Sequence, residues 1–415
     1  MKRSRTQTLG LKHLAFFEAV GEAEENSPNA QSATAGLLML RLIDHWVLAG
    51  PVMVEPESVS VRSVRNALMQ LQANDPSREV LLGLVNAMQT VREVDIQPVL
   101  PRLFAYAGCL EKRAEFALAA DVYSTIARLA EEDFDGDLLI DSCLRLAYCQ
   151  RMMGALNEAD DSYTTAGKIA KRLRETARGL LSRIGVVNVV MMRGNLPKAD
   201  ELLGDIVNDC EWAGCTEVTS QALHTRSSVA HRRGELDRAV CLAYDALKIT
   251  AQSGLRDRIL GDIGAYFIVM RRFDAARDAL MVLEATTSTE LVRHNALANM
   301  VSLAARARDP KLFAHARGRM AEVTLVPEAH VNYLIESARG FTQFGESERA
   351  RTTLEQARDL AAEHGFNRAL FEAEELLAKR EPMVETTSGG IREEYTEAAA
   401  GVEKELRAMA LAVAS

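Results

Sequence analysis

The chain has 415 residues, of which 48% are hydrophobic, and its 49 Lys and Arg against 58 Asp and Glu give a formal net charge of −9. This apolar fraction is sufficient for a buried core, while the negative balance disfavours a nucleic-acid partner, because nucleic-acid binding needs a positive face. No apolar run reaches the ~18 residues of a membrane helix, and the first residues lack the apolar centre of a secretion signal. We therefore expect a cytoplasmic protein without a membrane partner.

Residues 1–97 have apolar periodicities that predict helices but do not follow the pattern of the later chain. The predicted helical segments are 9–25, 33–49, 58–73 and 77–94. Ser58 and Ser77 have side chains suited to cap the last two of them. We interpret the region as an N-terminal cap of degenerate repeats, with a separate partner-binding module as the alternative. A DNA-binding helix-turn-helix would have to lie within 59–84, where only three arginines stand among acidic residues.

From residue 98 onward, one local pattern recurs at a nearly constant period. It is marked by alanines at separations of 40, 40, 40, 37, 38 and 36 residues, which are Ala119, Ala159, Ala199, Ala239, Ala276, Ala314 and Ala350. Apolar or small residues recur four, seven and eleven positions after most of the marker alanines, and these offsets lie on one face of an α-helix. Such a period is typical of a helical hairpin that is copied and stacked, because one hairpin cannot bury its own apolar face.

Turn residues divide each repeat into a first and a second helix. The residues predicted to end first helices, five positions before the marker, are Gly154, Gly194 and Gly234, with Arg271 and Asp309 in the same place later. Those predicted to end second helices are Gly214, Gly254 and Gly365. First helices are predicted at 138–153, 180–193, 218–233, 259–272, 291–306 and 328–344. The valine-rich run 186–190 falls inside a helical period, so we interpret it as buried helix rather than as a strand.

The succession of glycine, leucine, alanine and an aromatic residue or leucine resembles the second half of the tetratricopeptide repeat motif. The resemblance covers about residues 98–378, and the first-helix half of the motif is poorly kept. Tetratricopeptide units have ~34 residues, so these longer units resemble the variants found in bacterial regulators, including the maltose-activator type of transcription factor and peptide-pheromone sensors. The resemblance implies an all-α fold, a right-handed α-α superhelical solenoid of about seven helical hairpins over residues 98–380.

The end of the chain has two further segments. Residues 381–390 have the composition of a linker, and 391–415 are predicted to form a C-terminal amphipathic helix. The apolar stripe of this helix contains Tyr395, Val402, Leu406, Met409 and Val413. It is expected either to seal the final repeat or to dock as a detachable helix into a groove, its own or a partner's.

In tetratricopeptide-like solenoids the first helix of each unit lines the concave surface, so the resemblance implies a groove that holds a partner. Counting back from the turn residues gives the candidates Tyr148, Arg151, Asn188, Met192, Gln221, His224, Ser228, His231, Arg232, Arg258, Tyr266, Asn299, Arg306, Asn332 and Arg339. Asn and Arg form directional hydrogen bonds to a peptide backbone or a carboxylate. Each residue alone is typical of a solvated surface, and only the set indicates a protein, peptide or helix partner for a scaffold or adaptor.

Charge patterns allow two interpretations. Most first helices end on arginine and most second helices begin with acidic residues, an arrangement that the helix dipole favours by ~0.3–1 kcal/mol for each charge. The alternative is a basic edge that follows an acidic partner or a nucleic-acid strand. His224 and His231 are seven positions apart, which does not match a helical metal site, and the acidic segment 133–137 lacks the spacing and closing Glu of a calcium loop. We expect no metal.

The chain contains no phosphate-binding loop, nucleophile elbow or metalloprotease motif, and its six cysteines lack zinc-site spacing. Free thiols in a reducing compartment are the simplest interpretation. We expect no catalytic residue and no cofactor, and thus a non-enzymatic binding protein of a bacterium. The alternative is a ligand-sensing regulatory protein in a bacterial transcription or signalling pathway, whose groove receives a small signal.

Overall fold

The structure is a computed structural model, and its described residues are 12–24, 27–50, 54–56, 58–89, 95–130, 132–323, 325, 327–363, 366–378 and 396–414. Twenty α-helices and no β-strand occur in these ranges, so the predicted all-α fold is confirmed for the described chain. The chain divides into two compact units, Met1–Gly194 and Asn195–Ser415. The division falls inside the predicted repeat region.

The described part of the first unit contains nine helices. They are α1 (Leu14–Glu22), α2 (Pro28–Ala49), α3 (Val59–Gln70), α4 (Pro76–Gln89), α5 (Leu100–Lys112), α6 (Phe116–Leu129), α7 (Glu132–Met152), α8 (Leu156–Leu173) and α9 (Thr176–Met192). Helices α5 and α6 form one hairpin, α7 and α8 form the next, and α9 has the position of a first helix. The valine-rich run lies inside α9, which confirms its interpretation as helix.

The first four helices share a hydrophobic core with the first hairpin. Helix α1 packs on α2 and α6, and α4 packs on α5. Phe16, Trp46, Tyr106 and Tyr123 are fully buried or nearly so within this common core. Because the core is continuous, the N-terminal helices supply the apolar surface that the hairpin α5–α6 needs on one side.

Two of the predicted boundaries in this region are wrong. Ser58 caps α3 as expected, since its Oγ accepts from the amide of Val61 at 3.2 Å. Helix α4, however, begins before Ser77, whose own amide donates to Asp75 Oδ1 at 2.8 Å, so that Asp75 is the capping residue. Helix α2 begins five residues earlier than expected, because Ser27 caps it and Pro28 is tolerated in a first turn.

The turns of the first unit use the left-handed backbone conformation at the expected place. Gly154 and Gly194 have φ of 78° and 85°, as predicted for residues that end first helices. Ala114 and Arg174 adopt the same conformation, with φ of 60° and 61°. A side chain is disfavoured there by ~1–2 kcal/mol, so packing of the hairpins must compensate at these two turns.

A buried histidine joins three helices of the first unit. His13 precedes α1, and its ring bonds to Asp121 of α6 at 2.8 Å and to Asp44 of α2 at 3.3 Å. Arg128 and Lys12 also pair with Asp44, at 2.8 and 3.1 Å. Burial lowers the pKa of His13, but hydrogen bonds to Asp121 and Asp44 and their negative charges outweigh burial, and its pKa is raised. The same contacts overcome the effect of burial on Asp44 and hold its pKa well below the ordinary value.

The second unit begins with a second helix and continues with four hairpins. Its described helices are α10 (Leu196–Trp212), α11 (Thr216–Arg232), α12 (Leu236–Ile249), α13 (Ser253–Val269), α14 (Phe273–Thr286), α15 (Glu290–Arg306), α16 (Pro310–Ala321), α17 (Pro327–Gln343), α18 (Ser347–Glu363), α19 (Asn367–Ala378) and α20 (Glu397–Ala414). Gly234 and Gly214 end helices in the left-handed conformation, as expected. Gly254 does not, because α12 already ends at Ile249 and Gly254 lies in the first turn of α13. Gly365 lies outside the described residues.

Six of the seven marker alanines are buried, with exposures between 0% and 4%. The prediction at Ala314 is wrong, because this residue and Ala321 are exposed. The turn after α15 is one residue shorter than expected: Arg308, with φ of 56°, takes the left-handed position instead of Asp309. Phe313 therefore occupies the buried marker position in α16.

Helix α20 packs on α12 and α14, the second helices of two successive hairpins. Its buried residues are Ala399, Val402, Leu406 and Ala410. The expectation that this helix seals the final repeat is therefore wrong. The helix docks on its own chain, but on second helices rather than in the groove, lined by first helices, that the alternative named. Tyr395 and the predicted linker 381–390 lie outside the described residues.

Ionic contacts fix α20 on this surface. Arg407 Nη1 lies 3.2 Å from an oxygen of Asp278, whose side chain is only 5% exposed. Arg272 Nη2 lies 2.6 Å from Glu403, and the amide of Thr396 donates to Asp237 at 2.9 Å. Because Asp278 is covered by α20, loss of its arginine would leave a buried carboxylate without a counter-charge.

The substitution Gly185→Ala is expected to destabilise the first unit by about 1–3 kcal/mol, although alanine favours helix. A Cβ at Gly185 would lie 2.2 Å from the ring of Tyr163, which α8 packs against α9. Gly108→Ala in α5 is the matched control, since a Cβ there meets nothing within 4 Å. The control is expected to stabilise by up to about 1 kcal/mol. Urea unfolding measures both, and equal effects of the two variants would contradict the packing described.

The substitution Leu406→Ala is expected to destabilise the contact of α20 by about 2–5 kcal/mol, because it leaves a cavity beneath the helix. Leu411→Ala is the control, since this side chain is 61% exposed, and its effect is expected to stay within about 0.5 kcal/mol. Hydrogen exchange of the α20 amides measures the local stability. Unchanged exchange in Leu406→Ala would show that α20 is held by other means.

The substitution His13→Gln is expected to remove a pH dependence of the first unit's stability. A group with a raised folded pKa stabilises fully below its unfolded pKa of ~6.5 and loses that contribution as pH rises through the folded pKa. Wild-type stability should therefore fall as pH rises above ~6.5 and through the raised folded-state pKa of His13, and that of His13→Gln should not. His45→Gln, at an exposed position of α2, is the control. Urea midpoints measure the trend, and an undiminished slope in His13→Gln would refute it.

Candidate functional site

In the first unit, the predicted groove residues on α7 and α9 meet at one place. The guanidinium of Arg151 lies 5.2 Å from the ring centroid of Tyr148, three residues earlier on α7. Met192 of α9 reaches the same group, with its Sδ 3.7 Å from Arg151 Nη1. A second guanidinium, that of Arg145, lies 4.9 Å from the ring centroid of Tyr148. Asn188 is half-buried one turn before Met192.

The two arginines beside Tyr148 differ in their counter-charges. Arg145 is paired with Glu111 of α5, with its Nε donating to Oε2 at 2.9 Å and a second, closer contact through Nη2. No carboxylate among the described residues lies within ion-pairing distance of Arg151, which donates instead to the hydroxyl of Tyr163. Burial raises the pKa of Tyr163, against the opposing charge of Arg151. The positive charge of Arg151 is therefore unbalanced locally.

In the second unit, two contacts join the first helices α11 and α13. His224 Nε2 lies 2.7 Å from Asp262 Oδ2. His231, two turns later, stacks on Tyr266 with ring centroids 4.7 Å apart. Tyr266 is only 4% exposed and its hydroxyl lies 3.3 Å from Ser227 Oγ, and burial raises its pKa. The buried ring of Tyr266 thus packs beneath His231, while the side chains of His224 and His231 are partly exposed to solvent.

The remaining candidates fall into two groups. Exposed on first helices are Arg232, Arg258, Asn299, Arg306 and Asn332, whereas Gln221, Ser228 and Arg339 are half-buried. Arg339 is paired with Glu336 and with Glu372, and so connects α17 to α19. Ser228 donates to the carbonyl of its own helix at His224. Because its charge is already balanced, Arg339 offers less to a ligand than the exposed arginines do.

Arginines at the ends of first helices contact the starts of the preceding second helices. Arg193 lies 3.6 Å from Asp160, and Arg233 lies 3.7 Å from Asp200. Both members of the pair are displaced by 40 positions between the two repeats. These contacts support the interpretation that the arginines stabilise the fold, because each guanidinium is already paired with a carboxylate of the neighbouring helix.

The described residues contain no group of three or more His, Cys, Asp or Glu that fits a metal ion. Burial raises the pKa of Cys143 and of Cys149 to about 11, so both thiols are neutral near pH 7 and weakly nucleophilic. None of the helices within the described ranges is both long and apolar enough to cross a bilayer.

No family model and no curated protein match the chain. Among solved structures, a Rap protein complexed with competence and sporulation factor is 12% identical, with a TM-score of 0.47 over 82% of this chain and 99% of that one. The Rap conjugation gene regulator of plasmid pLS20, in complex with a peptide, is 13% identical, with a TM-score of 0.48 over 79% and 96%. A STAND protein with a tetratricopeptide repeat sensor from Pyrococcus horikoshii is 12% identical, with a TM-score of 0.45 over 90% and 68%.

The chain is built from tetratricopeptide-like hairpins. This assignment rests on two features of the chain itself. They are the period of the buried marker positions and the left-handed conformation of the turn residues.

Sequence reasoning found Tyr148 and Arg151 but missed the residues that define their environment. Arg145 lies one turn before Tyr148, so helical spacing alone places it on the same face. Glu111 lies in the preceding hairpin, 34 positions from Arg145, and no spacing rule within a repeat selects it. Asp262 lies one turn before Tyr266, so the same helical spacing that places Arg145 beside Tyr148 would also have selected Asp262.

Proposed function

We propose that the chain is a non-enzymatic binding protein whose first-helix face holds an extended peptide or a partner helix. The observation that carries the proposal is the group formed by Arg151, Tyr148 and Met192. It combines a cation that lacks a carboxylate among the described residues, an aromatic ring and a flexible apolar side chain. These are the side chains that recur where proteins bind other chains.

The second unit offers further polar contacts of the same kind. His231 and Arg232 lie in the last turn of α11, and Asn299 and Arg306 are exposed on α15. Arginine and asparagine donate to backbone carbonyls at fixed geometry, which suits an extended chain more than a compact metabolite.

The arrangement of these groups supports binding rather than catalysis. His224 is oriented by Asp262, as in a catalytic pair, but the neighbouring hydroxyls of Ser227 and Ser228 both donate to the backbone carbonyl of His224 and not to its ring. A nucleophile must bond to the base that activates it. The pair therefore serves to connect α11 and α13.

Capture of a peptide pool tests this function. The triple variant Arg151→Ala, Asn188→Ala, Met192→Ala, all on first helices of the first unit, is expected to retain less than a tenth of the wild-type binding of N-acetylated random hexapeptides, because the lost charged and amide contacts contribute ~1–3 kcal/mol each. The control triple Thr164→Ala, Lys168→Ala, Asn208→Ala removes exposed residues of the second helices α8 and α10. It is expected to bind as wild type does. Fluorescence anisotropy measures both.

Equal binding by the two triple variants would refute the assignment of the first-helix face. A thermal-shift screen with metabolites separates the alternative, a ligand-sensing regulator. Stabilisation by a metabolite without any peptide capture would favour that alternative over the scaffold.

A further inference from the structure

Of the two arginines that flank Tyr148, Arg145 is paired with a carboxylate, Glu111, whereas Arg151 has no such partner in the described part of the chain. Arg145, Tyr148 and Arg151 are spaced at i, i+3 and i+6 on α7, so their side chains lie on one face. Glu111 binds Arg145 through two contacts and is held in turn by the hydroxyl of Tyr123 at 3.3 Å. The surface around Tyr148 therefore retains one positive charge, and this charge is on Arg151.

The guanidinium of Arg151 also has unused hydrogen-bonding capacity. Its Nε is buried without a hydrogen-bond partner, and among the described residues the guanidinium contacts the hydroxyl of Tyr163 and, at an exposed position, the sulfur of Met192, so the terminal nitrogens are the donors that face a ligand. A guanidinium presents five donors in a planar fork that matches a carboxylate, and it stacks readily on an aromatic ring. The ring of Tyr148 thus holds the guanidinium in position for an anion that is supplied from outside.

An exposed apolar side chain adjoins this cation. Met192 is 41% exposed, and its Sδ lies 3.7 Å from Arg151 Nη1. Methionine adapts to apolar side chains of varied shape. A ligand that fits both features has a carboxylate next to an apolar group.

We propose that Arg151 receives a carboxylate of the bound peptide and that the adjacent apolar side chain lies against Met192. This proposal rests on the proposed function and names the chemistry that the first-helix face of the first unit selects. The carboxylate comes either from the C-terminus of the peptide or from an Asp or Glu side chain, and peptides that carry only one of these groups distinguish the two sources.

Methyl NMR of the full chain, labelled with ¹³C at the methionine methyls, tests the proposal. Three N-acetylated peptides are titrated: Ala-Ala-Ala-Leu with a free C-terminus, Ala-Ala-Glu-Leu amide and Ala-Ala-Gln-Leu amide. The Met192 methyl signal, assigned with the variant Met192→Leu, is expected to shift with at least one carboxylate peptide. The neutral glutamine peptide is expected to bind about tenfold more weakly, as for the loss of one charge-assisted contact.

Variants identify the residue responsible. Arg151→Gln is expected to bind the carboxylate peptide about tenfold more weakly, near the level of the neutral peptide, and Arg151→Lys to fall between Arg151→Gln and wild type. Lys168→Gln removes the same charge from an exposed site on α8 and is expected to have no effect. The wild-type comparison of the peptides does not depend on the folding of any variant.

Several outcomes overturn the proposal. Equal affinity for the carboxylate and neutral peptides would remove the carboxylate subsite, while shifts of other methionine methyls would leave the general peptide-binding function intact. Absence of any methyl shift with all three peptides would contradict both. A response to the free C-terminus alone assigns the terminal carboxylate, and a response to the glutamate peptide alone assigns a side chain.

Discussion

The spacing of the hairpins depends on large side chains that pack directly on small residues of the neighbouring helix. Tyr163 of α8 lies on Gly185 of α9, and Phe313 of α16 lies on Gly340 of α17, with less than 2.5 Å from the ring to the site of a Cβ. Packing of this kind leaves no room for one additional methyl group. The first-helix faces, and the side chains on them, are placed by these contacts.

The repeat could be predicted from the sequence because each unit uses the same buried positions. The prediction was wrong in the α15–α16 repeat, where Arg308 turns the chain one residue early and Phe313 replaces the alanine. The separations of Ala314 from the neighbouring marker alanines, 38 and 36 residues, do not distinguish the two registers, because Phe313 is only one position away. Only packing of the Phe313 ring on Gly340 distinguishes the two registers, and that contact joins distant parts of the sequence.

The sequence contains a pattern from which the docking position of α20 could have been predicted, although our sequence analysis did not predict it. The face of α14 that contains Asp278 also carries Ala275, Ala279 and Val282, all fully buried. The corresponding positions of α8 are Glu158, Ser162 and Thr165. A second helix with an apolar outer face needs a covering element, so this contrast predicts a docking site for an additional helix. By comparison, the charge balance around Arg151 depends on Glu111 in the preceding hairpin, and only the three-dimensional structure shows that Glu111 pairs with Arg145.

The contact between Asp278 and Arg407 spans 129 positions of the chain. During synthesis at ~5–20 residues per second, roughly 6 to 26 seconds pass between translation of Asp278 and of Arg407. Throughout that interval the apolar stripe of α14 faces water, and chaperones or neighbouring nascent chains have access to it. The second unit therefore completes its core only after this wait on the ribosome, whereas contacts between sequential hairpins form as soon as each one emerges.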